Sequence, residues 1–182
     1  MAILTKSNLS TIRILAEKSR SYNWLNESVK AKYRSKRYDE VTIFLSHKHD
    51  EKTELEDAIA FLNSLGVSVY VDWLDEGMPK STSGVTAIKI KSKIKEMNKF
   101  ILLATEGAIA SKWCNWELGI GDVHKYIENI AVLPVKENYK DYTGVEYLQI
   151  YPYIYESESS KGSYYVKYPN GEVTNLKNWL KK

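Results

Sequence analysis

The sequence holds one cysteine, four prolines and three histidines in 182 residues, and each scarcity excludes something. Cys114 alone cannot form an internal disulfide or a multi-cysteine zinc site, and its solitude fits a reducing compartment. Three histidines leave a metal centre little to draw on. His47-Lys48-His49-Asp50 sets imidazoles at alternate positions beside a carboxylate, yet no third or fourth ligand follows at a recognisable spacing, and His124 falls in a distant element. No metal is expected. Long apolar runs are missing, so no segment reads as membrane-spanning, and Lys6, Arg13, Glu17 and Lys18 interrupt the start of the chain before a secretory core can form. The expectation is a soluble, cytoplasmic protein. Excess charge is small as well: 26 basic against 23 acidic residues give a formal net charge of +3, which argues for neither nucleic acid nor an acidic membrane as partner.

What is present sorts into a periodic centre and two flanks. A hydrophobic share of 43% suits one globular domain with short appendages. Residues 1–38 are polar and basic, with Ile12, Leu15, Trp24, Leu25 and Val29 at loosely helical intervals, and read as a helical arm. Glu17 and Glu27 count against a targeting peptide. Residues 39–155 alternate strand and helix. A β-branched and aromatic run at 41–46 is of the kind covered on both faces. The next helix repeats Leu55, Ile59 and Leu62, with Asp50 or Thr53 to cap it and Gly66 past its end. A second strand at 67–71 leads into a turn-rich loop from Trp73 through Gly77, Pro79 and Gly84. Over 85–97 strand alternation competes with helical spacing; Ser81, Thr82 and Ser83 offer caps, and a crossover between buried parallel strands needs a helix, which is the expectation here. Strands at 100–104 and 130–135 flank a helix over 113–126, and 148–151 is the expected fifth strand.

The fold class that follows is α/β: an open, doubly wound parallel sheet with helices on both faces and a ligand crevice beyond the carboxyl ends of its strands. Residues 156–182 open with a Glu-Ser-Glu-Ser-Ser-Lys-Gly stretch, read as a flexible connector. A hairpin around Pro169-Asn170-Gly171 and a short helix capped by Asn175 complete the chain.

The segment Ser111-Lys112-Trp113-Cys114-Asn115-Trp116-Glu117-Leu118 puts one carboxylate among two indoles. On a helix Trp113 and Glu117 lie one above the other, and Ser111 offers an oxygen to cap the start. Burial against indole disfavours the charged form, so such an acid is held by a polar ligand or kept for electrostatic work. The stretch resembles the Ser-x-Trp-Cys-x-x-Glu-Leu motif of Toll/interleukin-1 receptor (TIR) domains. That resemblance spans roughly residues 39–155. The first strand ends Phe44-Leu45-Ser46-His47, where the family has an aromatic or aliphatic pair, then serine and often tyrosine. The second ends Val71-Asp72 ahead of the position of the family's mobile BB loop, here 73–84, with Lys80 after Pro79 where many members have glycine.

The resemblance implies a flavodoxin-like TIR fold and makes Glu117 the catalytic residue of a member that cleaves NAD between nicotinamide and ribose. It places Ser46 and His47 on the site, Trp73 where it stacks a base or ring, and Trp113 behind Glu117. NAD is then the substrate, and no separate cofactor is expected. A stand-alone TIR protein of this size also resembles the signal-producing component of bacterial Thoeris anti-phage systems. This implies an ADP-ribose-derived product, a separate effector that senses it, and self-association through loop 73–84.

The chemistry agrees with a single acid. Nicotinamide leaves NAD from an already cationic state and needs no proton, so the main demand is to stabilise an oxocarbenium-like ribose. Attack by water gives ADP-ribose and attack from within the molecule a cyclic nucleotide; the sequence leaves this choice open. Three other readings stand beside the enzyme: a non-catalytic TIR interaction module, a Cys114–His124 nucleophile pair, and a cationic run of Lys89, Lys91, Lys93, Lys95 and Lys99 that meets phosphates, with nucleic acid as its extreme form. A run of this kind is ordinarily the solvated face of a helix.

Overall fold

The computed structural model describes residues 2–18, 41–77, 79, 83–137 and 145–182, leaving aside the side chain of Trp73. In chain order the elements are β1 (Leu4–Thr5), α1 (Lys6–Lys18), β2 (Thr42–Ser46), α2 (Lys52–Ser64), β3 (Ser68–Tyr70), α3 (Gly84–Glu96), β4 (Lys99–Ala104), α4 (Glu106–Ala110) and α5 (Lys112–His124). They continue with β5 (Ile130–Lys136), β6 (Tyr153–Glu156), β7 (Tyr164–Lys167), β8 (Val173–Asn175) and α6 (Leu176–Lys181).

Strict alternation along the central strands builds the layers. Ile43, Leu45, Ile101, Leu103, Ala131, Leu133 and Val135 point to one face, where they meet α1, α2 and α6 through Leu9, Leu55, Ile59, Leu176 and Trp179. Phe44, Phe100, Leu102, Ala104, Ile130 and Val132 point to the other, against Ile90 and Ile94 of α3 and Cys114 and Leu118 of α5. A strand buried on both sides has little room for polar residues away from its ends, which is why these segments read as nearly continuous apolar runs.

The strands lie in the order β3-β2-β4-β5-β6-β7-β8, parallel from β3 to β6 and antiparallel from there on. Taken from β2, the parallel part has the flavodoxin-like order, whose switch point falls between β2 and β4. Both flanks join the same sheet. β1 pairs parallel with β5 at Leu4↔Val135, and Ala2 bridges Glu156. The C-terminal hairpin turns at Gly171 (φ 91°), and Asn175 caps α6 through the Lys177 N–H at 3.0 Å. Of the expected helical arm, 6–18 is helical with Leu9 buried and Leu15 facing out at 61% exposure; Trp24, Leu25 and Val29 lie outside the described residues.

Four local expectations are corrected. The helix over 52–64 is preceded by Glu51, whose side chain makes no cap, so neither Asp50 nor Thr53 caps it. Glu51 instead accepts the Thr105 hydroxyl from across the sheet. The expected strand at 148–151 is a single 3-10 turn, Glu146–Ile150, anchored by buried Leu148 and Tyr151, and the strand begins only after Pro152 at Tyr153. The connector after 155 is a tight hairpin turn, closed by Ser157–Ser163 and by the Gly162 N–H on Glu156 at 2.7 Å. Lys99 does not share the solvated face of Lys89, Lys91 and Lys95. It is buried in β4, donating to Asn129 at 2.8 Å with its ammonium 4.5 Å from the Trp179 ring. Among the described residues no helix is long and apolar enough to cross a membrane.

Candidate functional site

Residue periodicity aims the site. Ser46 is two residues after Phe44 and so faces the α5 side of the sheet at the carboxyl end of β2, beside the switch point. On α5 the buried positions are Cys114, Glu117, Leu118 and Gly121, the i, i+3, i+4, i+7 stripe of a core-facing helix. Glu117 therefore occupies a core position. It is 3% exposed, and Ser46, 1% exposed, donates its hydroxyl to Glu117 Oε2 at 2.5 Å. Trp113 is half-buried one turn earlier, and its side chain favours the ionised form of the acid. Ser111 caps the helix through the Cys114 N–H at 3.3 Å.

Gly121 allows α5 to approach this closely, since a β-carbon there would lie 3.1 Å from the Phe100 ring. Phe100 in turn stacks on Phe44 at 5.7 Å. At the neighbouring strand end, Thr105 caps α4 through the Ala108 N–H at 3.0 Å, and a β-carbon at Gly107 would run into Glu51 Oε1.

Burial dominates the electrostatics. It pushes the Glu117 carboxyl up to about 8, against the Ser46 hydrogen bond, with the negative charge of Asp72 adding to the rise and the Trp113 side chain opposing it. The acid is thus mostly protonated at neutral pH, and a cation arriving beside it favours ionisation. His47 is 4% exposed and held below its ordinary value by desolvation. Its Nδ1 lies 3.2 Å from the Leu45 carbonyl.

The structure brings Ser46, His47, Trp113 and Glu117 together, and it adds two residues to which sequence reasoning gave no role. Asp72, 6% exposed in the turn after β3, sets Oδ1 4.0 Å from His47 Nε2 and Oδ2 3.8 Å from His49 Nε2. The two imidazoles stack at 5.5 Å. Asp72 was visible as the last residue of a strand pattern at the same sheet end, but nothing in the sequence joins it to residues 25 positions earlier. The side chain of Trp73 and positions 78 and 80–82 of the loop lie outside the described residues.

Two rival chemistries are placed apart. Asp50 pairs with Lys48 at 3.5 Å and takes no part in the histidine pair, and no group of three potential metal ligands occurs among the described residues. Cys114 donates to the His47 carbonyl at 3.2 Å, and its thiol is pushed up to about 11 by burial; His124 is at the other end of α5, roughly 15 Å along the axis.

With a flavodoxin-order sheet and a Ser-x-Trp-Cys-x-x-Glu-Leu helix behind its switch point, the chain resembles a TIR domain. No family model matches it. By sequence it is 29% identical over 178 residues to the probable 3' cyclic ADP-D-ribose synthase ThsB' of Bacillus cereus strain MSX-D12, covering 92% of this chain and 88% of that one. It is also 26% identical over 79 residues to TIR2 of Cytobacillus dafuensis, a candidate cyclic ADP-D-ribose synthase, covering 42% of this chain and 21% of that protein.

Proposed function

We propose that this chain breaks the nicotinamide–ribose bond of NAD at Glu117 and produces a cyclic ADP-ribose-type signal in anti-phage defence of the Thoeris type. The observation that carries the reading is a carboxyl group in the core stripe of α5 whose hydrogen bond comes from a neutral donor, the Ser46 hydroxyl. Such an acid has no cationic partner among the described residues and meets its complement in the cationic nicotinamide and then in the oxocarbenium-like ribose. Nicotinamide departs with the bonding electron pair as a neutral ring. A hydroxyl of the same molecule then closes on the ribose carbon and releases its proton.

Two relatives named for cyclic ADP-D-ribose synthesis support cyclisation over hydrolysis. NAD enters as substrate, with no separate cofactor. The product acts on a separate effector protein, and copies of the chain associate through loop 73–84 in the cytoplasm, where a single free thiol is stable. A non-catalytic interaction module would give a buried, hydrogen-bonded acid no task.

The test is product analysis by chromatography and mass spectrometry after incubating concentrated protein with NAD. Equal amounts of nicotinamide and an isomer of cyclic ADP-ribose support the reading. ADP-ribose alone replaces cyclisation with hydrolysis, and the absence of nicotinamide release rejects the enzyme.

A further inference from the structure

Glu117, Ser46 and Trp113 account for bond cleavage but leave Asp72 and the second nitrogen of His47 without a task. The contact of His47 Nδ1 with the Leu45 carbonyl at 3.2 Å requires the hydrogen to be on Nδ1. Desolvation keeps this buried ring neutral at physiological pH, so Nε2 presents a lone pair. That nitrogen has no hydrogen-bond partner among the described residues. Asp72 Oδ1 faces it at 4.0 Å, too far for a direct hydrogen bond, and the other oxygen of Asp72 looks toward His49. An unpartnered buried nitrogen thus faces a carboxylate oxygen 4.0 Å away, two acceptors that a ligand supplying hydrogens between them would satisfy.

A single atom carrying two hydrogens suits both acceptors at once. A hydroxyl brings one and turns lone pairs toward the second acceptor, whereas a planar NH₂ brings two and has no available lone pair. NAD has two such groups, the nicotinamide carboxamide and the adenine amine. Location favours the first: His47 directly follows Ser46, which bonds Glu117 at 2.5 Å, and the charge of Asp72 is felt at Glu117. The gap lies at the scissile end of the substrate.

We propose that His47 Nε2 and Asp72 Oδ1 together accept the two hydrogens of the nicotinamide carboxamide, making Asp72 a specificity-determining residue of this site. The assignment rests on the NAD-cleaving reading above.

The test compares kcat/KM of the full chain for NAD, for 3-acetylpyridine adenine dinucleotide, in which a methyl group replaces the amide NH₂, and for nicotinamide hypoxanthine dinucleotide, which lacks the adenine amine. A site built around an NH₂ rejects the analogue without it strongly, so NAD should be preferred over the acetylpyridine compound by at least about 30-fold, while the hypoxanthine compound stays within about threefold of NAD. In Asp72→Ala and His47→Leu the acetylpyridine discrimination should fall toward one, mostly through KM for NAD. A wild-type ratio near one overturns the assignment whatever the variants do, since water then fills the gap. Full discrimination retained in both folded variants overturns it too, as does a penalty confined to the hypoxanthine compound. Failure of the wild type to release nicotinamide from NAD removes the functional reading itself, and this inference with it.

Discussion

At the scale of the residue, the account turns on one acid kept neutral until its ligand arrives. If ionised Glu117 is the working form, kcat/KM for NAD rises with pH and levels off near the free-enzyme value of about 8. The Ser46 hydrogen bond favours the ionised form, so Ser46→Ala should move that inflection upward, losing activity at pH 7 and recovering part of it in alkali; a pH–rate profile measures this. The same burial has a stability signature. Because the folded value lies above that of the unfolded chain, the contribution of Glu117 is fully present below about 4.5 and is lost as pH rises toward 8, on the order of a few kcal/mol. Glu117→Gln should therefore melt higher than wild type at pH 8, with the difference vanishing near pH 4. This acid was legible in the sequence because it stands among Trp113 and Trp116 in a stretch that resembles the Ser-x-Trp-Cys-x-x-Glu-Leu motif. Asp72 was not, since its meaning comes from β3 and β2 ending side by side.

At the scale of the element, two contacts hold the site's supports. Gly121 lets α5 settle on Phe100. Alanine there adds a β-carbon at 3.1 Å but gains helix propensity, whereas Gly121→Leu overpacks the interface and should cost about 2–3 kcal/mol in denaturant melts. Helix α1 is fastened to α2 by Arg13, whose Nε lies 2.9 Å from buried Asp57 and whose Nη1 lies 2.7 Å from Glu56, with Ser10 donating to Asp57 at 2.5 Å. Arg13→Ala leaves Asp57 buried without its cation and should cost about 2–3 kcal/mol, discounted because Arg13 is partly solvated.

Long periodic elements were readable: the helix over 84–96 followed from capping by Ser83 and the need for a crossover, against an equally good strand alternation. Short ones were not. The turn at 146–150 and the strand after Pro152 share one composition, and only the buried anchors Leu148 and Tyr151 decide where extension begins. The cap expected of Asp50 or Thr53 is not made: Glu51 holds the N-cap position and its carboxylate takes a hydroxyl 54 residues away, a choice no local window contains.

At the scale of the whole molecule, the two ends of the sheet carry opposite titrations. Lys99, at the start of β4, is brought down to about 8 by burial and then by the charge of Lys182, with Glu128 opposing. For a base held below its unfolded value, the folded state sheds its proton first, so stability recovers as pH climbs from about 8 toward 10.5. Wild type should thus weaken up to pH 8 and strengthen beyond it. Glu117→Gln should remove the first limb and Lys99→Met the second, as read by unfolding free energy against pH. The active acid and the buried lysine act independently because they lie on separate elements at opposite ends of β4.

The claim that joins these scales is that the buried carboxylate of Glu117 performs the cleavage. It is tested most directly by measuring nicotinamide release from NAD by wild type and Glu117→Gln at equal concentrations of folded protein. The account predicts a loss of at least about 100-fold, or about 3 kcal/mol, in a variant that is no less stable than wild type. Release by Glu117→Gln at the wild-type rate would contradict it.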